Sequence, residues 1–472
     1  MPRSRFRTFI SLAAALPLAV AAPAFAQDRT EHEQMARDLY RDVIAFRTAK
    51  GHTQVPELVS YLSQRLEAAG FAPGNIMATD YDSDGERTQG LIVRYPGKSR
   101  SKARPIVVLA HMDVVDARPE DWERNPFELT EDGGYLYGRG VTDNKYGVTN
   151  LVSTFIRLRQ EGWTPSRDIY LAFSGDEESG MVSTRAQAKW VAENVEPGIV
   201  LNSDAGGIAL ASDFTPLAMR VQAAEKTFAT FILTVTNPGG HSSRPRKDNA
   251  IYELADALLK VRDYTFPVQA TPLTRSYFRE LGKTVPGELG AAMRQFAEDP
   301  TDEEAIATLR ADPAYVGTLG TTCIATMLDA GHAENALPQS AKATVNCRIF
   351  PGVGVEATEE ALKQAIANDA VQFTLDTDVT ESPISELRPD VRSALAKSLK
   401  KRFGNVAIIP YMESGGTDGM HYRTLGMPVV AISGVAARPE DQYAHGLNER
   451  ILTESFYGGL DHWYVILKDL AG

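Results

Sequence analysis

The chain has 472 residues, with 49 Lys or Arg against 61 Asp or Glu, so its formal net charge is −12. Its 43% hydrophobic and 23% charged residues are typical of a folded globular protein, which excludes a disordered chain, a collagen-like repeat and a polytopic membrane protein. The acidic balance provides no basic surface, so we expect no nucleic-acid partner. The length exceeds the roughly 250–300 residues at which a single core stops growing, so more than one domain is expected.

Residues 1–26 have the pattern of a secretory signal peptide. Three arginines precede an apolar stretch over 9–22, and Ala24-Phe25-Ala26 then matches a small-x-small cleavage site. The apolar stretch is shorter than the ~20 residues that a membrane-spanning helix needs, which favours a cleaved signal over an uncleaved anchor. We therefore predict cleavage after Ala26, no stable membrane anchor, and a periplasmic or secreted protein.

Helical and strand patterns alternate from the predicted cleavage site to about residue 215. A helical pattern covers 57–69, and apolar residues recur on one face of a second helix around Val148–Phe155. Continuous apolar runs, typical of buried parallel strands, occur at 106–110, 169–173, 199–201 and, near the end of the chain, 429–432. This alternation predicts an α/β fold, with a mostly parallel sheet covered by helices.

The pattern changes between about residues 216 and 383. Alternation typical of half-exposed strands occurs at 227–236, 323–328 and 341–349, with helices predicted near 250–262 and 358–368. We interpret 216–383 as an inserted α+β domain, and 27–215 together with 384–472 as the larger domain. Within the insert, 270–318 is a polar, mostly helical stretch that we expect to be a surface elaboration.

Cys323 and Cys347 are the two cysteines of the chain, and both fall in predicted strands. One disulfide in an oxidising compartment and two separate buried thiols both agree with the sequence. Neither cysteine has the spacing of a cysteine-based zinc site.

Polar residues follow the buried strands. His111-Met112-Asp113 ends the first, 175–180 and 202–204 follow two others, and Asp143 precedes the Val148 helix. Ligand sites of open α/β sheets lie outside the carboxyl ends of the strands. Carboxylates gathered there repel one another unless a cation holds them, and His with carboxylate oxygens suits zinc or a similar divalent ion. Taken alone, His111 is more typical of a surface or hydrogen-bonded histidine, and the Glu177-Glu178 pair is more typical of a solvated loop. Asp143 alone also suits a helix N-cap and Asp204 a turn, so the prediction depends on their convergence.

These motifs resemble the co-catalytic zinc peptidase family that includes glutamate carboxypeptidase, succinyl-diaminopimelate desuccinylase, aminoacylase, carnosinase and carboxypeptidase S. The resemblance covers essentially the whole mature chain and is carried by the ordered segments 111–113, 138–145, 175–178, 202–204 and 443–449. It implies a zinc-exopeptidase-like fold with an inserted lid or dimerisation domain.

The resemblance also implies the metal ligands. His111 and Asp204 are expected to bind one divalent ion, Glu178 and His445 a second, and Asp143 to bridge the two. Zinc is the expected metal, and cobalt and manganese suit the same ligands. Two such ions polarise a scissile carbonyl and generate hydroxide at neutral pH.

Two further residues beside the metals receive roles from the resemblance. Asp113 is expected to orient His111, as a neighbour of a ligand often does. Glu177 is expected to be the general base that takes a proton from the water.

The inserted domain carries a second set of matching residues. The segment 237–243 resembles a family motif whose histidine, here His241, donates to the oxyanion, often from the partner subunit. His241 is then expected to reach the metals by closure of the inserted domain or from a partner. The resemblance favours a homodimer through the inserted domain, although the 270–318 stretch can cover the dimerising edge.

Substrate-binding residues follow from the same resemblance. Asn335 and Arg348 fall at substrate positions, and Gly415, Gly416 and Thr417 match a loop that supplies backbone N–H groups to a substrate carboxylate. A guanidinium suits a carboxylate because it forms a bidentate fork. The plain alternative for Arg348 is an exposed strand residue paired with a neighbour.

Together these expectations describe an exported zinc-dependent exopeptidase, a dipeptidase or carboxypeptidase, that hydrolyses an amide bond next to a free carboxylate. The nearest alternative is an N-acyl amino acid amidohydrolase, an aminoacylase or deacetylase, because both substrates present a carboxylate to Arg348. A non-catalytic binding protein is disfavoured because the ligands and the base are intact. An adhesion protein is disfavoured because the sequence has no repeats or disulfide framework.

Overall fold

The computed structural model describes residues 29–98 and 102–472, so the predicted signal peptide lies outside the described residues. The strands are β1 (Ile76–Ser83), β2 (Glu86–Tyr95), β3 (Ile106–His111), β4 (Thr130–Asp132), β5 (Tyr135–Tyr137), β6 (Ile169–Ser174), β7 (Ile199–Asn202), β8 (Gly207–Leu210), β9 (Pro216–Glu225), β10 (Thr227–Thr236), β11 (Gly240–His241), β12 (Thr322–Ala330), β13 (Ala336–Leu337), β14 (Ser340–Ile349), β15 (Gln372–Leu375), β16 (Ala407–Glu413), β17 (Val429–Ala431), β18 (Ala436–Ala437) and β19 (Arg450–Leu452). The α-helices are α1 (Glu31–Ala45), α2 (Val55–Ala68), α3 (Lys145–Gln160), α4 (Val182–Asn194), α5 (Ala250–Asp263), α6 (Pro272–Leu281), α7 (Gly287–Glu298), α8 (Glu303–Ala311), α9 (Val355–Ile366), α10 (Pro389–Phe403), α11 (Gly419–Thr424) and α12 (Thr453–Ala471). None of these helices is long and apolar enough to cross a lipid bilayer.

The large sheet has the strand order β1-β2-β6-β3-β7-β17-β9-β8-β18, with β16 beside β9. Its central strands β6, β3, β7 and β17 run parallel, while antiparallel pairs lie toward both margins. Every residue of β3 and β7 is buried, which explains the continuous apolar runs of the sequence. Because the central strands are parallel, their carboxyl ends meet at one edge of the sheet, and the predicted α/β fold is confirmed.

Helices cover both faces of this sheet. One face packs against α2, α3, α10 and α12 in the largest apolar core. The other face packs against α4 and the region of α11, through residues such as Val191 and Tyr422. Helix α3 is buried along most of its length, because it lies between the sheet and its neighbours α1 and α12.

A second sheet, of order β12-β14-β10-β15, forms the inserted domain with α5 and α9. The chain passes from the large sheet to this sheet at a single residue, Lys226, between β9 and β10. The boundary predicted at residue 216 falls before β9, but all of β9 belongs to the large sheet because it pairs with β8, β16 and β17. The boundary predicted at 383 falls in the irregular segment between β15 and α10.

The stretch predicted as a helical elaboration forms α6, α7 and α8, followed by a 3-10 turn at Val316–Thr318. It has an apolar core of its own, which includes Phe278, Met293 and Phe296. Helix α6 also packs against β16, whose described pairing is with β9 alone. The stretch therefore covers an exposed sheet edge of the larger domain.

The edge strand β12 of the inserted domain is bonded covalently to its neighbour. Cys323 and Cys347 lie opposite each other on β12 and β14 and form a disulfide, with 4.1 Å between their Cα atoms. The two cysteines therefore form one disulfide and are not two separate buried thiols.

Candidate active site

The five predicted metal ligands converge at the carboxyl edge of the large sheet. They are His111 at the end of β3, Asp143 before α3, Glu178 after β6, Asp204 after β7 and His445 between β18 and β19. His111 and Ser174 are paired in register on β3 and β6, so the segments that follow these two strands begin side by side.

Asp143 lies at the centre of the cluster. Its Oδ1 is 2.9 Å from Nε2 of His111, and its Oδ2 is 3.1 Å from Nε2 of His445. Asp204 Oδ1 lies 3.2 Å from the same His111 nitrogen, and Glu178 Oε1 lies 2.9 Å from the His445 nitrogen. The result is two groups, each of one imidazole and two carboxylates, that share Asp143. One imidazole nitrogen with carboxylate oxygens is a donor set that fits a divalent ion, and a shared carboxylate fits two such ions side by side.

The charges of the cluster are poorly balanced by the protein alone. Burial raises the pKa of Asp204 and of Glu178. Burial also raises the pKa of Asp143, but hydrogen bonds and charges from His111 and His445 outweigh it, so the net shift is downward. Hydrogen bonds to Asp143 and Glu178 raise the pKa of His445 to about 10. In the absence of a metal, the protonated imidazoles supply the positive charge that a bound cation would supply.

Asp113 connects the first ligand with the loop after β6. Its backbone carbonyl is 3.0 Å from Nδ1 of His111, which leaves Nε2 of that ring directed at the cluster. Its carboxylate accepts from the backbone N–H groups of Glu177 and Glu178 at 3.0 and 2.9 Å. Its Oδ1 also lies 3.5 Å from Nδ1 of His111. The carbonyl and the carboxylate of Asp113 thus both face the ring that this residue is predicted to orient, and the carboxylate also holds the neighbouring loop.

Glu177 differs from Glu178 in that no donor of the described chain is bonded to its carboxylate. It is buried, and one of its oxygens lies within 4.8 Å of ligand atoms of His111 and Glu178. Burial raises the pKa of Glu177 well above its usual value, although the nearby His111 acts against the shift. A free carboxylate with a raised pKa beside the metal ligands suits proton transfer.

Glu449 supports the candidate site, although the sequence assigns it no role. Its fully buried carboxylate accepts from Arg139 Nη1 at 2.8 Å, from Gly140 N at 3.0 Å and from the backbone and hydroxyl of Thr142 at 2.8 and 2.6 Å. A longer contact of 3.3 Å reaches the backbone N–H of Asp143. Glu449 therefore fixes the segment that presents Asp143, and its position four residues after His445 is the signal that could have identified it.

Asn144 also supports the ligands. A cis peptide bond joins it to Asp143. Its Nδ2 donates to Asp204 at 2.7 Å, while its Oδ1 accepts from Gly147 and caps α3. The start of α3 and the end of β7 are thus linked through one amide side chain.

The residues predicted to bind a carboxylate form a second group. Arg348 is partly buried, and its Nη1 donates to the backbone oxygen of Ser414 at 2.9 Å. Ser414 opens the 414–417 loop, in which the N–H groups of Gly415, Gly416 and Thr417 have no acceptor in the described chain. The Thr417 hydroxyl is already bonded to Glu225 and Asn202, so the loop offers backbone donors rather than this side chain.

His241 and Asn335 lie together, apart from the groups above. They are held by the pairing of β11 with β13 and by a 3.1 Å bond from Ser242 N to the backbone oxygen of Asn335. Nδ1 of His241 faces the backbone and hydroxyl of Ser243, and the ring is exposed. In the described chain, no hydrogen bond or ion pair joins either residue to the metal ligands or to Arg348.

Known proteins resemble the chain over most of its length. The sequence is 27% identical over 389 residues to probable carboxypeptidase S-like 2 of Dictyostelium discoideum, covering 80% of this chain and 74% of the relative. It is 29% identical over 370 residues to the N-fatty-acyl-amino acid synthase/hydrolase PM20D1 of Homo sapiens, covering 75% and 71%.

Solved structures show the same fold. The dipeptidase Dug1p of Saccharomyces cerevisiae superposes with a TM-score of 0.66 at 17% identity, covering 93% of this chain and 96% of that one. The YXEP protein of Bacillus subtilis, a dinuclear metal-binding peptidase, gives 0.56 at 14% identity, covering 93% and 98%.

The family comparison agrees with the site. The sequence pattern of peptidase family M20/M25/M40 matches residues 107–469, which include the five candidate ligands, Asp113, Glu177 and Arg348. The chain therefore belongs to the peptidase family M20/M25/M40 and is a hydrolase of the metallopeptidase type.

Proposed function

We propose that the protein is an exported dipeptidase or carboxypeptidase that hydrolyses the amide bond next to a free carboxylate. The observation that carries the proposal is the 414–417 loop. At one end of the loop Arg348 donates to Ser414, and at the other end Thr417 is bonded to Asn202, two residues before the ligand Asp204. A carboxylate held by Arg348 and the free N–H groups of the loop thus lies beside the strand ends that carry the metal ligands.

We propose two divalent ions per chain, with zinc as the native metal and cobalt or manganese as alternatives. His111 and Asp204 would hold one ion, Glu178 and His445 the other, with Asp143 between them. The two histidines facing opposite oxygens of Asp143 support this assignment, as does the dinuclear peptidase with the same fold. When bound, such ions supply Lewis acidity and make water acidic enough to react at neutral pH.

The residues of the chain then have distinct tasks. Arg348 and the loop fix the substrate carboxylate, and this orientation places the scissile bond over the ligand cluster. Glu177 takes the proton from the attacking water at a carboxylate oxygen and delivers it to the leaving nitrogen. The carboxylates of Asp113 and Glu449 hold the loops that present Glu177 and Asp143.

His241 is proposed to act from a second copy of the chain. The ring of His241 is exposed and, in the described chain, has no hydrogen bond or ion pair with the candidate ligands. It can therefore donate to the oxyanion only if the inserted domain closes or if it comes from a partner subunit. The edge strand β12 supports a homodimer because its exposed Ile324, Met327 and Leu328 are uncovered in the described chain.

Hydrolysis of N-acyl amino acids is the second candidate activity. It is favoured by two exposed apolar side chains that flank the ligand His445, namely Tyr443 and Leu447, which are 36% and 52% exposed. An apolar group on the acyl side of the scissile bond would cover them. The similarity to an N-fatty-acyl-amino acid synthase/hydrolase supports the same substrate class.

Export is proposed from the sequence alone. The segment 1–26 has the order of a signal peptide, and the mature protein is proposed to be periplasmic or secreted. Mass spectrometry of protein recovered from the extracytoplasmic fraction is expected to show a chain that begins at Gln27.

A substrate panel tests the activity. Purified, zinc-loaded protein is assayed on dipeptides and N-acyl amino acids, each with a free and an amidated C-terminus. We expect amidation to lower kcat/KM at least ~30-fold, because an unpaired guanidinium costs about 2 kcal/mol. Equal rates on free and amidated substrates would refute the exopeptidase, and faster turnover of N-acyl amino acids than of dipeptides would favour the second candidate.

A further inference from the structure

Lys226 occupies the single position between the two sheets and is buried, with 3% of its surface exposed. Its ammonium donates to the backbone oxygens of Gly317 and Gly320 at 3.0 and 2.8 Å, and to the Thr322 hydroxyl at 3.3 Å. Gly317 lies in the 3-10 turn that ends the helical stretch, Gly320 follows that turn, and Thr322 begins β12. One side chain therefore joins the interdomain connection to both segments.

The surroundings of this ammonium are unusual for a buried lysine. All three acceptors are neutral, and in the described chain no carboxylate forms an ion pair with Lys226. Burial and the neighbouring guanidinium of Arg348 lower the pKa of Lys226 to about 7. The Glu413 carboxylate acts electrostatically on Arg348. Among the described residues it forms an ion pair with neither Arg348 nor Lys226. Two cations placed together in this way are disfavoured in the free protein, and an anion bound nearby relieves both.

The same short connection also holds the 414–417 loop. The backbone N–H of Lys226 donates to the oxygen of Glu413 at 3.0 Å, next to the start of the loop. The carboxylate of Glu225 accepts from the hydroxyl of Thr417 at the other end. Residues 225 and 226 thus fix the loop on both sides.

Arg348 and the helical stretch meet at this place too. Thr322, which accepts from Lys226, lies opposite Arg348 in the pairing of β12 with β14. A Cβ atom added to Gly317 would lie 3.4 Å from Ser414 Oγ and 3.7 Å from Lys226 Nζ, so the 3-10 turn packs directly on the loop. Arg348 and both ends of the 414–417 loop are therefore linked to Lys226 or to a residue bonded to it.

We propose that Lys226 is a positioning residue for the substrate carboxylate: it holds Arg348, the 414–417 loop and the end of the helical stretch in the arrangement that binds a free carboxylate. This inference rests on the proposed function. It assigns the helical stretch a part in substrate selection, in addition to covering the edge of β16.

Lys226→Met tests the proposal because it keeps the length of the side chain and removes the ammonium. The readout is the ratio of kcat/KM for a free substrate to that for its amidated counterpart. We expect this ratio to fall about tenfold, through a higher KM for the free substrate, with the rate on the amidated substrate and the zinc content unchanged. Lys260→Met is the matched control, since Lys260 also donates to a backbone oxygen, that of Ile366, but far from the loop; it is expected to leave the ratio unchanged.

The outcomes separate the inference from the function on which it rests. If the wild-type protein does not discriminate against amidated substrates, the proposed function fails first. The second case is that the wild type discriminates against amidated substrates and Arg348→Met abolishes this discrimination. If Lys226→Met then lowers the rates on free and amidated substrates equally, or lowers neither, Lys226 has a merely structural role and the inference is overturned. Should Lys226→Met not fold, Thr322→Val removes one acceptor with little change of shape, and an unchanged ratio in that variant overturns the inference equally.

Discussion

Glu177 and Glu178 are neighbours in sequence, yet their carboxylates have different surroundings. Glu178 is 2.9 Å from His445 and belongs to a candidate metal group that contains Asp143. The carboxylate of Glu177 has no hydrogen-bond or ion-pair partner in the described chain. The backbone N–H groups of both residues are bonded to Asp113, which holds the two side chains in their separate positions.

Glu177→Gln is expected to lower kcat at least ~10²-fold while the metal content stays that of the wild type, because the amide keeps the shape but cannot take a proton from water. Steady-state kinetics and elemental analysis of the same preparation measure both quantities. Glu178→Gln is the matched comparison, and it is expected to lose bound metal. Near-normal turnover by a metal-replete Glu177→Gln protein would show that another residue is the base.

The protonated imidazoles of the metal-free protein predict a pH dependence of metal binding. The pKa of His445 is raised to about 10 by its hydrogen bonds to Asp143 and Glu178. Burial alone would lower the pKa of His111, but the carboxylates of Asp204, Asp113 and Asp143 outweigh it and raise that pKa. A cation needs the unprotonated nitrogen, so zinc must displace these protons. We expect metal affinity to increase as the pH rises toward about 10, with release of at least about one proton per ion at neutral pH.

Calorimetry of zinc binding to chelator-treated protein, in two buffers of different ionisation enthalpy, counts the released protons. His445→Gln should reduce that count. Proton-independent binding would contradict the assignment of His111 and His445 as ligands.

At the scale of the elements, the strand ends are the most predictable part of the site. The strands β3, β6 and β7 are almost wholly buried, so their apolar sequences have clear ends. The polar residues that follow, such as His111 and Asp204, can therefore be placed at one edge of the sheet by their sequence positions alone.

Contacts between distant segments are not predictable in the same way. Lys226 has no sequence pattern that distinguishes it from any lysine between two strands, and its acceptors lie about ninety residues further along the chain. The disulfide depends on the register of β12 against β14, which alternation alone does not fix. The helical stretch is predicted as a surface elaboration, but its apolar residues, such as Phe278 and Phe296, are buried in a core of their own, and no local pattern shows which residues meet there.

Glu449 shows the importance of such a distant contact, because it holds the segment that ends in Asp143. Glu449→Gln is expected to weaken zinc affinity about 10–100-fold, the usual effect of losing a group that orients a ligand. It should also lower the free energy of unfolding by about 3–5 kcal/mol, since the buried Arg139 loses its acid.

Competition with a zinc chelator and urea denaturation measure the two effects. The control is Glu440→Gln, which removes a partly exposed ion pair with Arg438 in the same region and should change stability by less than about 1 kcal/mol. Unchanged zinc affinity in a folded Glu449→Gln protein would show that the segment does not need this carboxylate.

At the scale of the whole molecule, the inserted domain has an open edge. In the described chain β12 pairs only with β14, and its Ile324, Met327 and Leu328 are 67%, 70% and 66% exposed. The helical stretch packs on β16, at the larger domain, and leaves this edge free. An exposed apolar edge strand is suited to pairing with a second copy.

Mixing His241→Ala chains with Glu177→Gln chains tests whether the histidine serves the neighbouring site. If it does, a mixed dimer contains one site with both groups intact, and activity should recover to roughly a quarter of the wild-type value after random subunit exchange. A chain that carries both substitutions, mixed with itself, is the control and should stay inactive. His241 would be shown to act within its own chain if the fully active protein sediments as a monomer. The same conclusion would follow if a confirmed mixed dimer recovers no activity.

The candidate ligands extend from residue 111 to residue 445, and Glu449 lies beyond the last of them. During synthesis the amino-terminal part of the chain emerges first, so His111, Asp143, Glu178 and Asp204 are made long before the site can close. A chain that stops short of His445 lacks both a ligand and the carboxylate that fixes the Asp143 segment. The candidate site can therefore form only after residue 449 has been made, and a fragment that ends before His445 lacks one of the five candidate ligands.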